Sequence, residues 1–258
     1  MRALTAILAL AAAMLCLGIP AQAELSQQGK LIVAFDGSLS PKTLPRTQPA
    51  PVAVTVAGRV RTAKGAPLPQ LRTIRVAINS AGRLYDKGLP TCRVASIQPA
   101  TEAQAQTVCG RSIVGRGHVT VSVHLENQAS FAVKGNLLAF NGPRRNGQKL
   151  ILAQVYTEDP PGAFVLTFTV KRGVGLFGTV LSTTLPESAQ GWAYLTQFEM
   201  TLDRQYRYRG KARSYVSAAC AAPAGFPGAV FPFAKASYGF DNGQRLTTTV
   251  VRSCKVGG

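Results

Sequence analysis

Apolar and polar residues alternate with period two along much of the chain. In residues 118–126, Val119, Val121, Val123 and Leu125 alternate with His118, Thr120, Ser122, His124 and Glu126, the pattern of a strand with one buried face. Phe164, Leu166, Phe168 and Val170 repeat it, as do Val52, Val54 and Val56, and Ile74, Val76 and Ile78. Phe198, Met200 and Leu202 oppose Glu199, Thr201 and Asp203, which predicts one long strand over residues 194–208. Residues 150–155 are apolar on both faces, as in a central strand. Turn signals punctuate these runs: Asp36 with Gly37, Ala81 with Gly82, Asn141 with Gly142, Asn146 with Gly147, Pro160 to Gly162, and Asp241 to Gly243. Short strands so spaced predict an all-β fold, an antiparallel β-sandwich. One short helix is expected near 99–109, with Pro99 in its first turn, Glu102 and Ala103 leading to Val108, and Gly110 ending it.

Residues 38–51 carry Pro41, Pro45, Pro49 and Pro51, a composition that favours extended chain. The expected organisation is a first strand and proline-rich linker over 24–51 and a sandwich body over 52–258. An alternative divides the body into two modules near 141–148. Two Asn-Gly signals in that short segment suit a hairpin between paired strands better. Residues 221–232 are also rich in proline and glycine, but contain Phe226, Val230 and Phe231 and are expected to pack.

Residues 1–23 read as a secretory signal peptide. Arg2 gives a positive start, residues 3–19 are nearly all apolar, and Pro20, Ala21, Gln22 and Ala23 supply a small-x-small cleavage site. Cys16 follows Met14 and Leu15, which does not suit a lipoprotein signal. Cleavage after Ala23 removes 23 of 258 residues and one of 29 Lys/Arg, leaving 235 residues with 28 basic and 11 acidic side chains, a formal +17. No later apolar run approaches the roughly 20 residues of a transmembrane helix. Four cysteines remain: Cys92, Cys109, Cys220 and Cys254. None has Cys-x-x-Cys spacing, and an even number in an exported chain favours disulfides. Of three pairings, Cys92 with Cys109 and Cys220 with Cys254 is preferred, because each closes a local segment.

The stretches GLPTC (88–92), IQPAT (97–101), CGRSIVGRG (109–117), LLAFNG (137–142) and SYVSAACAAPAGFPG (214–228) resemble a group of secreted bacterial proteins without an assigned activity. The resemblance implies export and a four-cysteine framework. It brings no catalytic or ligand residues with it.

Catalytic signatures are missing. There is no Gly-x-Ser-x-Gly elbow, no His-Glu-x-x-His and no phosphate-binding loop, and nothing suggests a cofactor or metal. His118 and His124 share a strand face, but six residues place their backbones roughly 20 Å apart, too far for one ion. His124 and Glu126 are the nearer pair. Glu158 and Asp159 precede two prolines, which suits a turn better than a glycosidase pair.

The unusual feature is basic. Arg204, Arg207, Arg209, Lys211 and Arg213 are interleaved with Tyr206 and Tyr208, and Arg144, Arg145 and Lys149 form a second point at the expected hairpin tip. Arginine grips carboxylate and phosphate with two parallel hydrogen bonds. The expectation is therefore a secreted, non-catalytic protein that binds an anionic polymer or envelope surface. Nucleic acid fits poorly without a recognisable binding module. One rival is elimination on an acidic polysaccharide, with Arg207 and Arg209 neutralising a uronate and Tyr215 or His124 removing a proton. Another is a partner-binding or inhibitor module presenting Phe226.

Overall fold

The computed structural model describes residues 23–63, 65–186 and 191–257. The expected signal peptide lies, but for Ala23, outside the described residues. The fold is all-β with antiparallel sheets and one short helix.

Most strands belong to one sheet. Its members are β1 (Glu24–Gln28), β2 (Leu31–Ser40), β3 (Thr43–Leu44), β5 (Ala53–Thr62), β6 (Leu71–Asn79), β8 (Ile113–Val123), β9 (Phe131–Asn141), β10 (Lys149–Glu158), β11 (Pro161–Arg172), β12 (Phe177–Thr184), β13 (Ala193–Leu202), β17 (Gly228–Phe240) and β18 (Arg245–Val256). Their spatial order is β1-β2-β5-β13-β8-β9-β10-β11-β12-β6-β17-β18-β3. Among the described residues every strand pairing is antiparallel except the short parallel contact of β3 with β18. Three further strands, β4 (Ala50–Pro51), β7 (Gly82–Leu84) and β16 (Val216–Ala218), make a small sheet, and β14 (Gln205–Tyr208) pairs with β15 (Lys211–Ser214).

The two layers of the expected sandwich are halves of one sheet that curls over itself. Val54, Val56, Val119, Leu137, Phe198 and Met200 from one half meet Ile74, Val76, Ile151, Leu166, Phe168 and Leu181 from the other, around an apolar cavity of about 70 Å³. The inward residues are those the alternation selects. The ends of the sheet meet where β18 lies against β1 and β2. There the Arg252 guanidinium pairs with Asp36 and its Nε donates to the Gly37 carbonyl (2.6 Å). A Cβ on Gly37 would stand 2.6 Å from the Phe233 ring. Asp36 and Gly37 thus lie inside β2, not in a turn, because a glycine lets strand and ring approach.

Other expectations need correcting. The region expected to hold one strand holds two, β1 and β2, and β2 runs to Ser40 and pairs residue for residue with β5. The proline-rich segment after it is packed, with Leu44 buried and Arg46 donating to the carbonyls of Ala222 (2.6 Å), Pro223 and Phe226 (3.0 Å). β9 and β10 pair across residues 142–148, and the turn is made at Asn146 and Gly147, both at positive φ. Asn141 is buried instead, its amide donating to Pro90 O (3.0 Å). The strand expected over 194–208 ends at Leu202, and β14 begins a separate hairpin. β8 ends at Val123, leaving Leu125 44% exposed and Glu126 in a turn.

The helix α1 spans Glu102–Cys109. Thr101 caps it, accepting from Gln104 N (3.2 Å) while the Gln104 side chain accepts from Thr101 N (2.9 Å). Gly110 keeps right-handed helical angles and leads into a 3-10 turn, so the glycine does not stop the helix by a left-handed bend. The Cys92–Cys109 disulfide ties α1 to the preceding loop, and Cys220–Cys254 joins β18 to the segment after β16. Ile97, Ala105 and the first disulfide cover Leu138, Phe140, Leu150 and Leu152 on the outside of β9 and β10. That cover is why residues 150–155 are apolar on both faces. Buried Gln154 donates to Ile97 O and Ala100 O, both at 2.8 Å.

Candidate functional site

Where the helical cover ends, the outer face of β11, β12, β6, β17 and β18 forms an open concavity of about 1180 Å³. Strand register builds it in cross-strand rows. One row runs Thr247, Ser237, Arg75, Ser182, Thr169. The next runs Thr249, Lys235, Ala77, Val180, Lys171. A third holds Arg245, Gly239, Thr73 and Thr184. Small residues keep the floor low: a Cβ on Gly239 would stand 2.4 Å from Thr73 Oγ1. Hydroxyls on the floor pair with each other, Thr169 with Ser182 (2.9 Å) and Ser237 with Thr247 (3.1 Å).

Arg75, Arg145, Lys171, Arg172, Lys235 and Arg245 line this concavity, and among the described residues its lining contains no carboxylate. Lys171 and Arg172 also border a neighbouring hollow of about 850 Å³, lined by Arg83, Arg144 and Lys149 as well. Like charges gathered over a low-dielectric wall reinforce one another's field. The outer surface around β8 differs, since Glu199 and His118 pair in register there and Asn136 donates to Glu102 (2.7 Å).

The residues singled out in the sequence divide. Arg145 lies on the concave face. Arg144 and Lys149 both pair with Asp86, at 3.2 and 2.7 Å, so their charge is partly compensated. The run from Arg204 to Arg213 is the β14–β15 hairpin, turned by Arg209 and Gly210 at positive φ. Arg207, Arg209, Lys211 and Arg213 are exposed, whereas Arg204 is half-buried with its Nε unpaired among the described residues. Arg209 lies over the Tyr208 ring and Arg213 over Tyr85, each 5.3 Å from the centroid. Tyr206 donates to Lys87 O (2.9 Å), so the hairpin is seated on the 85–88 loop that carries Asp86. Desolvation, with Tyr85 and Asp86 adding, pushes the Tyr206 hydroxyl up to about 12.

Tyr215 is buried, and burial foremost, then Asp86 and Tyr206, raises its pKa well above the usual range. It does not share the solvent face of Arg207 and Arg209, which removes it as their partner base. Both ring nitrogens of His124 are engaged, by Ser122 (3.1 Å) and Ser130 (3.0 Å), and the ring rests against Tyr194. Among the described residues no group of three His, Cys, Asp or Glu is placed to hold a metal ion, and no helix is long and apolar enough to cross a membrane. Phe226 is 61% exposed, contrary to the expectation that its loop packs it away. Arg46 holds the loop by its carbonyls, and that leaves the ring outside.

Arg75, Lys171, Arg172, Lys235 and Arg245 had no signal as a group. Arg75, Lys171, Lys235 and Arg245 are each only the polar member of an alternating strand and Arg172 is the last residue of β11, and strand order brings them together. No family model, curated protein or solved structure matches the chain.

Proposed function

We propose that this is an exported, non-catalytic protein that binds an anionic envelope polymer, such as an acidic polysaccharide, across the concave basic face. One observation carries the reading: six cations border a single concavity whose lining, among the described residues, has no carboxylate. Rows of serine and threonine hydroxyls between them suit a polyhydroxylated chain bearing regularly spaced negative charge. Two disulfides, the signal-like N-terminus and the resemblance to secreted proteins support export. The elimination rival finds less support, because the concave face has no histidine and the Tyr238 hydroxyl points inward toward Gly58 of β5.

Retention on an immobilised polyuronate across a salt series tests the reading. Exposed charges are screened over about 10 Å at 0.1 M salt, so binding is expected to weaken steeply as salt rises. Arg75→Glu with Lys235→Glu is expected to abolish retention, while Arg207→Glu with Arg209→Glu measures what the hairpin adds. Retention unchanged by reversing Arg75 and Lys235 overturns the proposal. Exposed Phe226 on the clamped loop and Val230 (75% exposed) near the start of β17 favour a second reading, a protein-binding module, and Phe226→Ser with affinity capture from the same source would test it.

A further inference from the structure

The turn between β11 and β12 presents apolar side chains to solvent at the rim of the basic face. Val174 is 95% exposed and Leu176 51% exposed, with Phe177, next along the chain, half-buried. The turn is anchored at its base. Gly173 N donates to Gly178 O (2.9 Å), and Ser80 N donates to Leu176 O (2.9 Å). A Cβ on Gly173 would stand 1.9 Å from Phe177 O, so the close crossing of the two arms requires glycine there. Lys171 and Arg172, exposed, directly precede the tip. Val174 and Phe177 line the same concavity as Arg75, Lys235 and Arg245.

We infer that this tip is a membrane anchor that docks the protein on the surface of a bilayer containing anionic lipid. Two exposed aliphatic side chains, a half-buried aromatic ring and two exposed cations, all within residues 171–177, supply the side-chain types of a lipid interface: aliphatic for the acyl chains, aromatic for the boundary, cationic for anionic headgroups. A protein partner would ordinarily be gripped by aromatic or arginine anchors seated in a complementary pocket. Here the aliphatic side chains project at the rim of the concavity, Val174 being 95% exposed, which fits a fluid phase better. Neither signal suffices alone, since a short apolar insertion is reversible and headgroup attraction is screened by salt. Together they are additive and hold the concave face close to the envelope surface. The inference rests on the apolar tip and stands apart from polysaccharide binding by the groove.

The test uses the oxidised mature chain in a flotation assay, with vesicles of phosphatidylcholine alone and of phosphatidylcholine with phosphatidylglycerol. Wild type is expected to float with the anionic vesicles and at least tenfold less with the neutral ones. Leu176→Ser, which removes apolar surface outside the lining of the concavity without adding charge, is expected to lose at least tenfold in vesicle affinity while keeping its melting temperature and its polyuronate retention. If that variant floats as well as wild type, lipid is only a headgroup mimic of the polymer and the anchor is disproved. Failure of wild type to float disproves it equally. Loss of polyuronate retention on reversing Arg75 and Lys235 bears on the groove alone, so the two readings fail separately.

Discussion

Tyr238 shows how much one residue's surroundings decide. It is buried in the core with its hydroxyl unpaired among the described residues, close to Gly58 and the Phe198 ring. An unsatisfied buried hydroxyl costs on the order of 1–3 kcal/mol, so Tyr238→Phe is expected to leave stability unchanged or raise it by about 1 kcal/mol in urea unfolding. Gly88 is the opposite case. Its φ is +87° and a Cβ there would stand 2.1 Å from the Tyr208 ring, so Gly88→Ala should cost about 2 kcal/mol or more and loosen the basic hairpin. Tyr206, Tyr215 and Tyr238 all have pKa values raised above the ordinary 10.0, mainly by burial. Below that value both native and unfolded chains keep these protons and the stabilisation is whole. Above it the unfolded chain ionises first, so stability falls as pH rises, through about 12 for Tyr206. Urea midpoints followed alongside tyrosinate absorbance check this: Tyr215 and Tyr238 should ionise only as the protein unfolds.

At the scale of elements, α1 is a short helix made stable by its surroundings. The Thr101–Gln104 capping box, the buried Ala105 and the Cys92–Cys109 link hold it against β9 and β10. Thr101→Ala is expected to cost about 1 kcal/mol. Replacing Cys92 and Cys109 by serine should cost about 3 kcal/mol on the chain-entropy account and deprotect the helix to hydrogen exchange before the sheet. Pro99 set the expected helix start too early, whereas the Thr101–Gln104 box starts the helix at Glu102. The break after Leu202 left one trace in the sequence, the consecutive polar residues Asp203, Arg204 and Gln205 that interrupt the alternation between Leu202 and Tyr206. Asp203 N turns to Val114 O (3.3 Å) and Arg204 O accepts from Tyr215 N (2.8 Å), which ends the ladder through tertiary partners.

Across the whole molecule, closure of the sheet depends on the seam between β2 and β18. Arg252, itself largely buried, satisfies Asp36, the Gly37 carbonyl and the Val251 carbonyl (2.7 Å) there. Arg252→Ala leaves these acceptors without their donor and should cost about 2 kcal/mol. Hydrogen exchange in β2 and β18 should quicken more than in β9 and β10, which lie far from the seam in strand order. The basic face is a property of the same scale. Lys235 and Lys171 flank Ala77 and Val180 only because β17, β6, β12 and β11 are neighbours in that order.

Which side of each strand is apolar, where cysteines lie close enough along the chain to close short loops, and where Asn146 and Gly147 turn the chain are local matters. Period-two burial, short loop closure and positive φ act over a few residues or a short loop, so the sequence by itself determined them. Tertiary structure alone decided the strand order, the curling of one sheet into two layers, the fate of Asp36 and Gly37, and the grouping of Arg75, Lys171, Arg172, Lys235 and Arg245. Alternation states that a side chain faces outward but not which outward side chain lies beside it. That neighbour is chosen when distant strands compete to bury a common core, and the charge pattern of the surface follows from the outcome.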